Sequence, residues 1–97
     1  MALRPIKFRI LELYSDGQEH WNYEIVKKVQ EEYNMRSDYH RDSINFDIIE
    51  LVSGGMLAGV DEKVDEEGIY KKGFLLQKYA ITDFGKLRAS DCCIRNL

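Results

Sequence analysis

The sequence is poor in the groups that catalysis needs. Its two histidines, His20 and His40, fall in separate polar stretches, and a nucleophilic Cys–His pair would have to draw on Cys92 or Cys93 near the far end. No Cys or His cluster has zinc spacing. The scattered acids do not form an ordered calcium loop. Gly54-Gly55 is not followed by the Lys-Ser/Thr of a phosphate cradle. These gaps argue against an enzyme, a metal site, a cofactor and a small-molecule substrate. There is also no run near the roughly 20 apolar residues of a membrane helix, and Met1–Pro5 has no signal-peptide core. A cytoplasmic protein away from the membrane is expected. The two cysteines are adjacent, and a bridge between neighbours is strained. They read as free thiols, with an intermolecular disulfide or a redox pair as alternatives. Basic excess is missing too: 14 Lys and Arg against 17 Asp and Glu leave a net charge of −3. This removes the simplest argument for a nucleic-acid partner, although local patches count for more than totals.

What is present suffices for one small core. The chain has 97 residues, 44% of them hydrophobic, with a single proline. One domain over residues 1–97 is expected, without staples. Pro5 suits the first position of a helix running to Tyr14. In it Ile6, Ile10, Leu13 and Tyr14 share one face, widened by Phe8 and Leu11. Ser15-Asp16-Gly17 stops it. Glu19-His20-Trp21 reads as a short extended piece, with Asn22 as the N-cap of a second helix from Tyr23 to Tyr33. Glu24–Lys28, Lys27–Glu31 and Lys28–Glu32 are i, i+4 pairs, each contributing roughly 0.2–0.5 kcal/mol on a solvated face.

A third helix begins between Asp38 and Arg41, where Ser37, Asp38 or Asp42 could cap it, and it runs to Ser53 before Gly54-Gly55. Met56–Val64 and Gly73–Ile81 read as a hairpin around Asp65-Glu66-Glu67-Gly68. One arm is acidic (Asp61, Glu62, Asp65, Glu66, Glu67) and the other basic (Lys71, Lys72, Lys78). Pairing across the hairpin would stabilise it by roughly 0.2–1 kcal/mol per pair. Thr82 then caps a last helix from Asp83 to about Ile94, with Phe84 and Leu87 turned to the core. The fold class is α+β, mostly α: three helices, a β-hairpin wing and a C-terminal helix.

On the third helix, Ile44, Ile48, Leu51 and Val52 form the inner stripe. Tyr39, Asp42, Ser43, Phe46, Asp47 and Glu50 face outward, with Arg41, Asn45 and Ile49 on the flanks. Three acids and no base make the middle of this face a poor partner for phosphates. The N-terminal end, with Arg36, Ser37, His40, Arg41, Ser43 and Asn45, is the better candidate. Arg41 has two readings, a DNA contact or a surface pair with Asp38 or Asp42. Outward Phe46 has three: a protein partner, intramolecular packing, or base stacking.

Four blocks carry a resemblance. They are Ile10–Gly17, Tyr23-Glu24-Ile25-Val26, Glu50–Leu57, and Tyr79-Ala80-Ile81-Thr82-Asp83-Phe84-Gly85-Lys86-Leu87. Together they resemble the winged helix-turn-helix superfamily of prokaryotic and archaeal regulators. The last block is similar to the wing exit of PadR-type repressors, and Asp16–His20 to the N-terminal DNA-binding domain of Mrr-type restriction proteins, without carrying over any nuclease activity. The resemblance implies a DNA-binding module, a transcription regulator acting as a homodimer through its first and last helices. Its DNA-binding residues would be Arg36, Ser37, His40, Arg41, Ser43, Asn45, Lys71 and Lys72, on duplex DNA. The rival expectation is a winged helix serving as a protein–protein interaction module, with Phe46 in contact with the partner.

Overall fold

A computed structural model describes residues 5–90. The element order is α1 (Ile6–Tyr14), β1 (His20–Trp21), α2 (Asn22–Tyr33), α3 (Asp38–Ser53), β2 (Leu57–Val64), β3 (Leu75–Ile81) and α4 (Asp83–Ala89). Among the described residues this is an α+β fold of four helices and a three-stranded antiparallel sheet of order β1-β3-β2. The expected extension of the last helix to Ile94, together with Cys92 and Cys93, lies outside the described residues.

One apolar cluster joins the elements. Ile10, Leu11 and Tyr14 of α1 meet Ile25, Val26 and Val29 of α2 and Ile44, Ile48 and Leu51 of α3, with Leu57, Tyr79 and Ala89 closing it. The helical spacing read from the sequence accounts for these positions. Each such aliphatic side chain contributes roughly 1.5–3 kcal/mol relative to exposure. Tyr14 is fully buried, and its hydroxyl donates to the carbonyl of His20 at 3.2 Å. That bond ties α1 to β1, which pairs His20 with Tyr79 and Trp21 with Lys78. In the hairpin Leu57 faces Ile81 and Val64 faces Leu75, and the register shifts between Gly59 and Asp61. Val60 is therefore an extra residue in β2, a bulge that bends the strand.

Several expectations are corrected. Asn22 is not the cap of α2. Trp21 holds that position, and its N–H donates to Glu24 Oε1 at 3.2 Å. Because Trp21 is committed to β3, Asn22 becomes the first residue of the helix, with its amide turned inward and buried. Ser37 resolves the start of α3, since its hydroxyl accepts the His40 N–H at 3.1 Å. At the end of α3 it is Gly55, at φ 80°, that takes the left-handed conformation, while Gly54 does not.

The hairpin is shorter than expected at Gly73, and Lys71 and Lys72 lie in the loop before β3, so they pair with no strand residue. Asp65 leaves the expected acidic arm altogether and is buried. Of the expected cross-strand partners, only Asp61 stands opposite a lysine, Lys78. The last helix turns its small residues inward. Gly85 and Ala89 are buried, while Phe84 and Leu87 are about half exposed, at 50% and 58%. A β-carbon on Gly85 would lie 2.1 Å from the Met56 carbonyl oxygen. Backbone-close packing against Met56 thus displaces the larger side chains of α4 to the outside. Thr82 fixes this approach: its hydroxyl donates to the Gly55 carbonyl (2.6 Å) and accepts the Gly85 N–H (2.9 Å).

Candidate interaction surface

The inner stripe of α3 is anchored by Ile44, Ile48 and Leu51, which sends the opposite stripe to solvent. Tyr39 is 77% exposed, Phe46 57% and Ile49 45%. Asp38, Asp42, Ser43 and Glu50 are exposed beside them, and Asp47 is half-buried. Burial raises the Asp47 carboxyl pKa, and the nearby Glu50 adds to the rise. Glu50 is bridged to Lys7 of α1 at 3.1 Å. The outward stripe is therefore aromatic and acidic.

The loop from Asp65 to Phe74 sets what lies next to the first turn of α3. The Asp65 carboxylate accepts four backbone N–H groups: Gly68 and Ile69 on Oδ1, each at 2.9 Å, and Tyr70 and Lys71 on Oδ2, each at 2.8 Å. Desolvation opposes its ionisation, yet these four bonds outweigh it and hold the carboxyl below its ordinary pKa. Gly68 and Gly73 take φ of 80° and 88°, which lets the chain close around this acceptor. The loop so formed delivers Tyr70 to α3. The Tyr70 hydroxyl donates to Asp42 Oδ1 at 3.2 Å, and the Arg41 guanidinium lies 5.0 Å from the centre of the Tyr70 ring. Burial, reinforced by Asp42, pushes the Tyr70 phenol up to about 12.

Most of the residues expected to contact DNA are engaged within the chain. Arg41 donates to Asp42 at 3.1 Å and approaches Asp38 at 3.5 Å. Its hydrogen bond to Asp42 raises the arginine pKa and lowers that of the acid. The pair with Asp38 and Asp42 is present in the folded chain. Asn45 accepts from Asn22 Nδ2 at 3.0 Å, and Asn22 Oδ1 accepts the Gln77 N–H at 3.1 Å. Asn45 is thus part of a bridge from α3 through α2 to β3. Ser37 is occupied as the cap, and His40 Nδ1 lies 2.9 Å from its hydroxyl. Arg36 is exposed, with Nε 3.4 Å from Asn34 Oδ1. Ser43 and Lys72 are exposed. Lys71 Nζ sits 4.4 Å from the centre of the Phe74 ring. Because the loop bonds to Asp42, Lys71 and Lys72 lie on a segment docked to α3, but Arg41 is neutralised beside them.

Sequence reasoning missed two groups. Asp65 with Gly68 three residues on is a turn-forming pattern that could have been read as a carboxylate serving local N–H groups; nothing local marks Tyr70. The second group surrounds Trp21, which stacks on Tyr23 with centroids 6.1 Å apart and an interplanar angle of 21°. Lys63 Nζ lies 4.7 Å from the Trp21 ring centre and 5.6 Å from that of Tyr23, while Lys78 Nζ lies 5.4 Å from Trp21. An open cleft of about 640 Å³ adjoins Tyr23, lined by Lys27, Gln30, Arg41, Ile69 and Tyr70 among others.

Among the described residues no three His, Cys, Asp or Glu side chains are placed to hold a metal ion, and no helix is long and apolar enough to cross a membrane. No protein-family model, curated protein or solved structure matches this chain significantly.

Proposed function

We propose that the chain is a winged-helix domain that recognises another protein through the outward stripe of α3. The helix order, the three-stranded sheet and the loop beside α3 support the winged-helix reading. The observation that carries the function is the character of that stripe. Tyr39, Phe46 and Ile49 stand exposed among Asp38, Asp42 and Glu50, and the nearest arginine is already paired with two of those acids. Buried against a partner, three large apolar side chains would supply the contact energy. The carboxylates would favour a basic partner surface and repel phosphates. The partner is therefore a protein segment with apolar anchors and flanking Lys or Arg. The exposed pair Phe84 and Leu87 on α4 suits a second copy of the chain, giving a homodimer with the α3 stripes free.

Duplex DNA is the second reading, favoured by the docking of the loop carrying Lys71 and Lys72 onto the first turn of α3. Only Arg36, Lys71 and Lys72 would then be available for phosphates, giving a salt slope of about −2.7.

Fluorescence anisotropy with a labelled random duplex at low salt separates the two. No saturable binding at micromolar protein is the expected result. Binding that is lost when Arg36, Arg41, Lys71 and Lys72 are all changed to alanine would return the surface to DNA. A photo-crosslinking phenylalanine analogue at position 46 should trap a protein in the source cells, and trapping of DNA there would overturn the assignment.

A further inference from the structure

We infer that the Trp21–Tyr23 stack, flanked by Lys63, Lys78 and Lys27, is a binding platform for single-stranded nucleic acid. It does not depend on the α3 reading, because none of these residues belongs to α3. Four elements build it. β1 supplies Trp21, α2 supplies Tyr23 from its first turn and Lys27 from its second, β2 supplies Lys63 and β3 supplies Lys78. The pairing of Trp21 with Lys78 fixes the ring beside the sheet, and the bond from the Trp21 N–H to Glu24 fixes the start of α2. Both rings are only partly buried.

Two ammonium groups gather on the electron-rich face of the partly exposed Trp21 ring and border it with positive charge. Such a combination of π-faces and mobile cations suits a strand whose bases are unstacked and whose phosphates lie at the edges of the rings. A base stacking on an aromatic ring gains more than the exposed cation–π contact it displaces. The released lysines would be left at the ring edges, where the phosphates on either side of that base would lie. Three acids border the site, among them Asp61, which stands opposite Lys78. Glu24 is held by the Trp21 N–H, and Glu19 lies 3.9 Å from Lys78. Three lysines against three acids leave no net charge, so binding is expected to be weak and to rest on stacking against the rings, with the lysines meeting phosphates one by one. A duplex keeps its bases stacked inside and offers only phosphates, so a single strand is the better fit.

Trp21 is the sole tryptophan of the chain, so its emission reports on this site alone. Titration of the whole protein with an oligothymidine of about 12 nucleotides should quench that emission saturably. The logarithmic salt slope should be about −2, from three lysines at about 0.7 each. Changing Lys63 and Lys78 to Glu should abolish the quench. A Lys63→Gln, Lys78→Gln variant, closer in shape, should bring the slope to about −0.7 while circular dichroism stays native. Phe46→Ala should leave the titration unchanged, which separates this site from the α3 stripe. Inorganic polyphosphate should compete without quenching. The inference is overturned if the oligonucleotide leaves the emission unchanged, if duplex DNA or polyphosphate quenches equally, or if the lysine variants bind like the parent.

Discussion

Placing a methyl group on Gly85 sets two effects of opposite sign against each other. Alanine is favoured over glycine inside a helix by about 1 kcal/mol, and Gly85 lies in α4 with nothing unusual in its φ. Propensity alone therefore makes Gly85→Ala stabilising. Packing makes it the reverse. The added carbon would stand 2.1 Å from the Met56 carbonyl oxygen and 2.7 Å from Ile81 Cγ1. The oxygen cannot simply retreat, because it accepts the Thr82 N–H at 3.0 Å. Thr82 in turn caps α4 and bonds to Gly55, so moving the helix away would strain both of those hydrogen bonds. Overpacking of this kind costs typically 1–3 kcal/mol and can cost more against main chain. Against a fixed main-chain oxygen the cost lies near the upper end, about 3 kcal/mol, and subtracting the helix gain of about 1 leaves a net loss of about 2 kcal/mol, a fall in Tm of roughly 8–16 °C for a domain of this size. Urea unfolding followed by far-ultraviolet circular dichroism measures it, with Lys86→Ala on the same helix as a control expected within about 0.5 kcal/mol of the parent. A Gly85→Ala protein as stable as the parent, or more so, would refute the backbone-close packing of α4 on Met56.

Other substitutions test the remaining joints. Asn22→Ala removes the bridge and leaves Asn45 Oδ1 and the Gln77 N–H without their partner, a loss of about 2 kcal/mol or more in the same unfolding assay; an unchanged midpoint would contradict the bridge. The Asp65 carboxyl titrates below its ordinary value of about 3.9, so its contribution is complete above that value and is lost as the pH falls through its depressed folded pKa. Hydrogen exchange should therefore show Gly68, Ile69, Tyr70 and Lys71 protected at neutral pH and exposed in acid, with Asp65→Asn unprotected at both; protection that persists in Asp65→Asn would mean that the carboxylate does not organise the loop. Sedimentation should show a dimer that Leu87→Asp dissociates while the monomer keeps its fold, and a monomeric parent at high concentration would exclude α4 as the contact.

The inner stripes of α1, α2 and α3 were legible because each apolar repeat had one consistent partner, the same central cluster. Thr82, read as a cap ahead of Asp83, likewise located the start of α4. Phe84 and Leu87 were misplaced because size was taken for depth: the controlling residue was Gly85, whose lack of a side chain admits the Met56 backbone. Asn22 was misassigned because an amide can cap a helix or be buried in a bridge, and only the distant Asn45 and Gln77 decide between these. Arg41 was left between two readings; its acid partners were local and legible, whereas its contact with Tyr70, 29 residues further along the chain, was not. The loop from Asp65 hid a buried acid among exposed ones, since Asp65, Glu66 and Glu67 look alike as charge. The lysines around Trp21 come from three separate stretches of sequence, and no local pattern brings them together.

The amide bridge between Asn22, Asn45 and Gln77 has a consequence for the outer side of the molecule. It acts as an indexing pin for α3. A turn of that helix by one residue would swing Asn45 through about 100° and orphan the inward-pointing amide of Asn22, at a cost of about 1–3 kcal/mol. Apolar stripes alone tolerate such slippage far better than directional polar groups do. The orientation of Tyr39, Phe46 and Ile49 toward any visitor is thus set by a polar joint between α2, α3 and β3 rather than by the stripe itself.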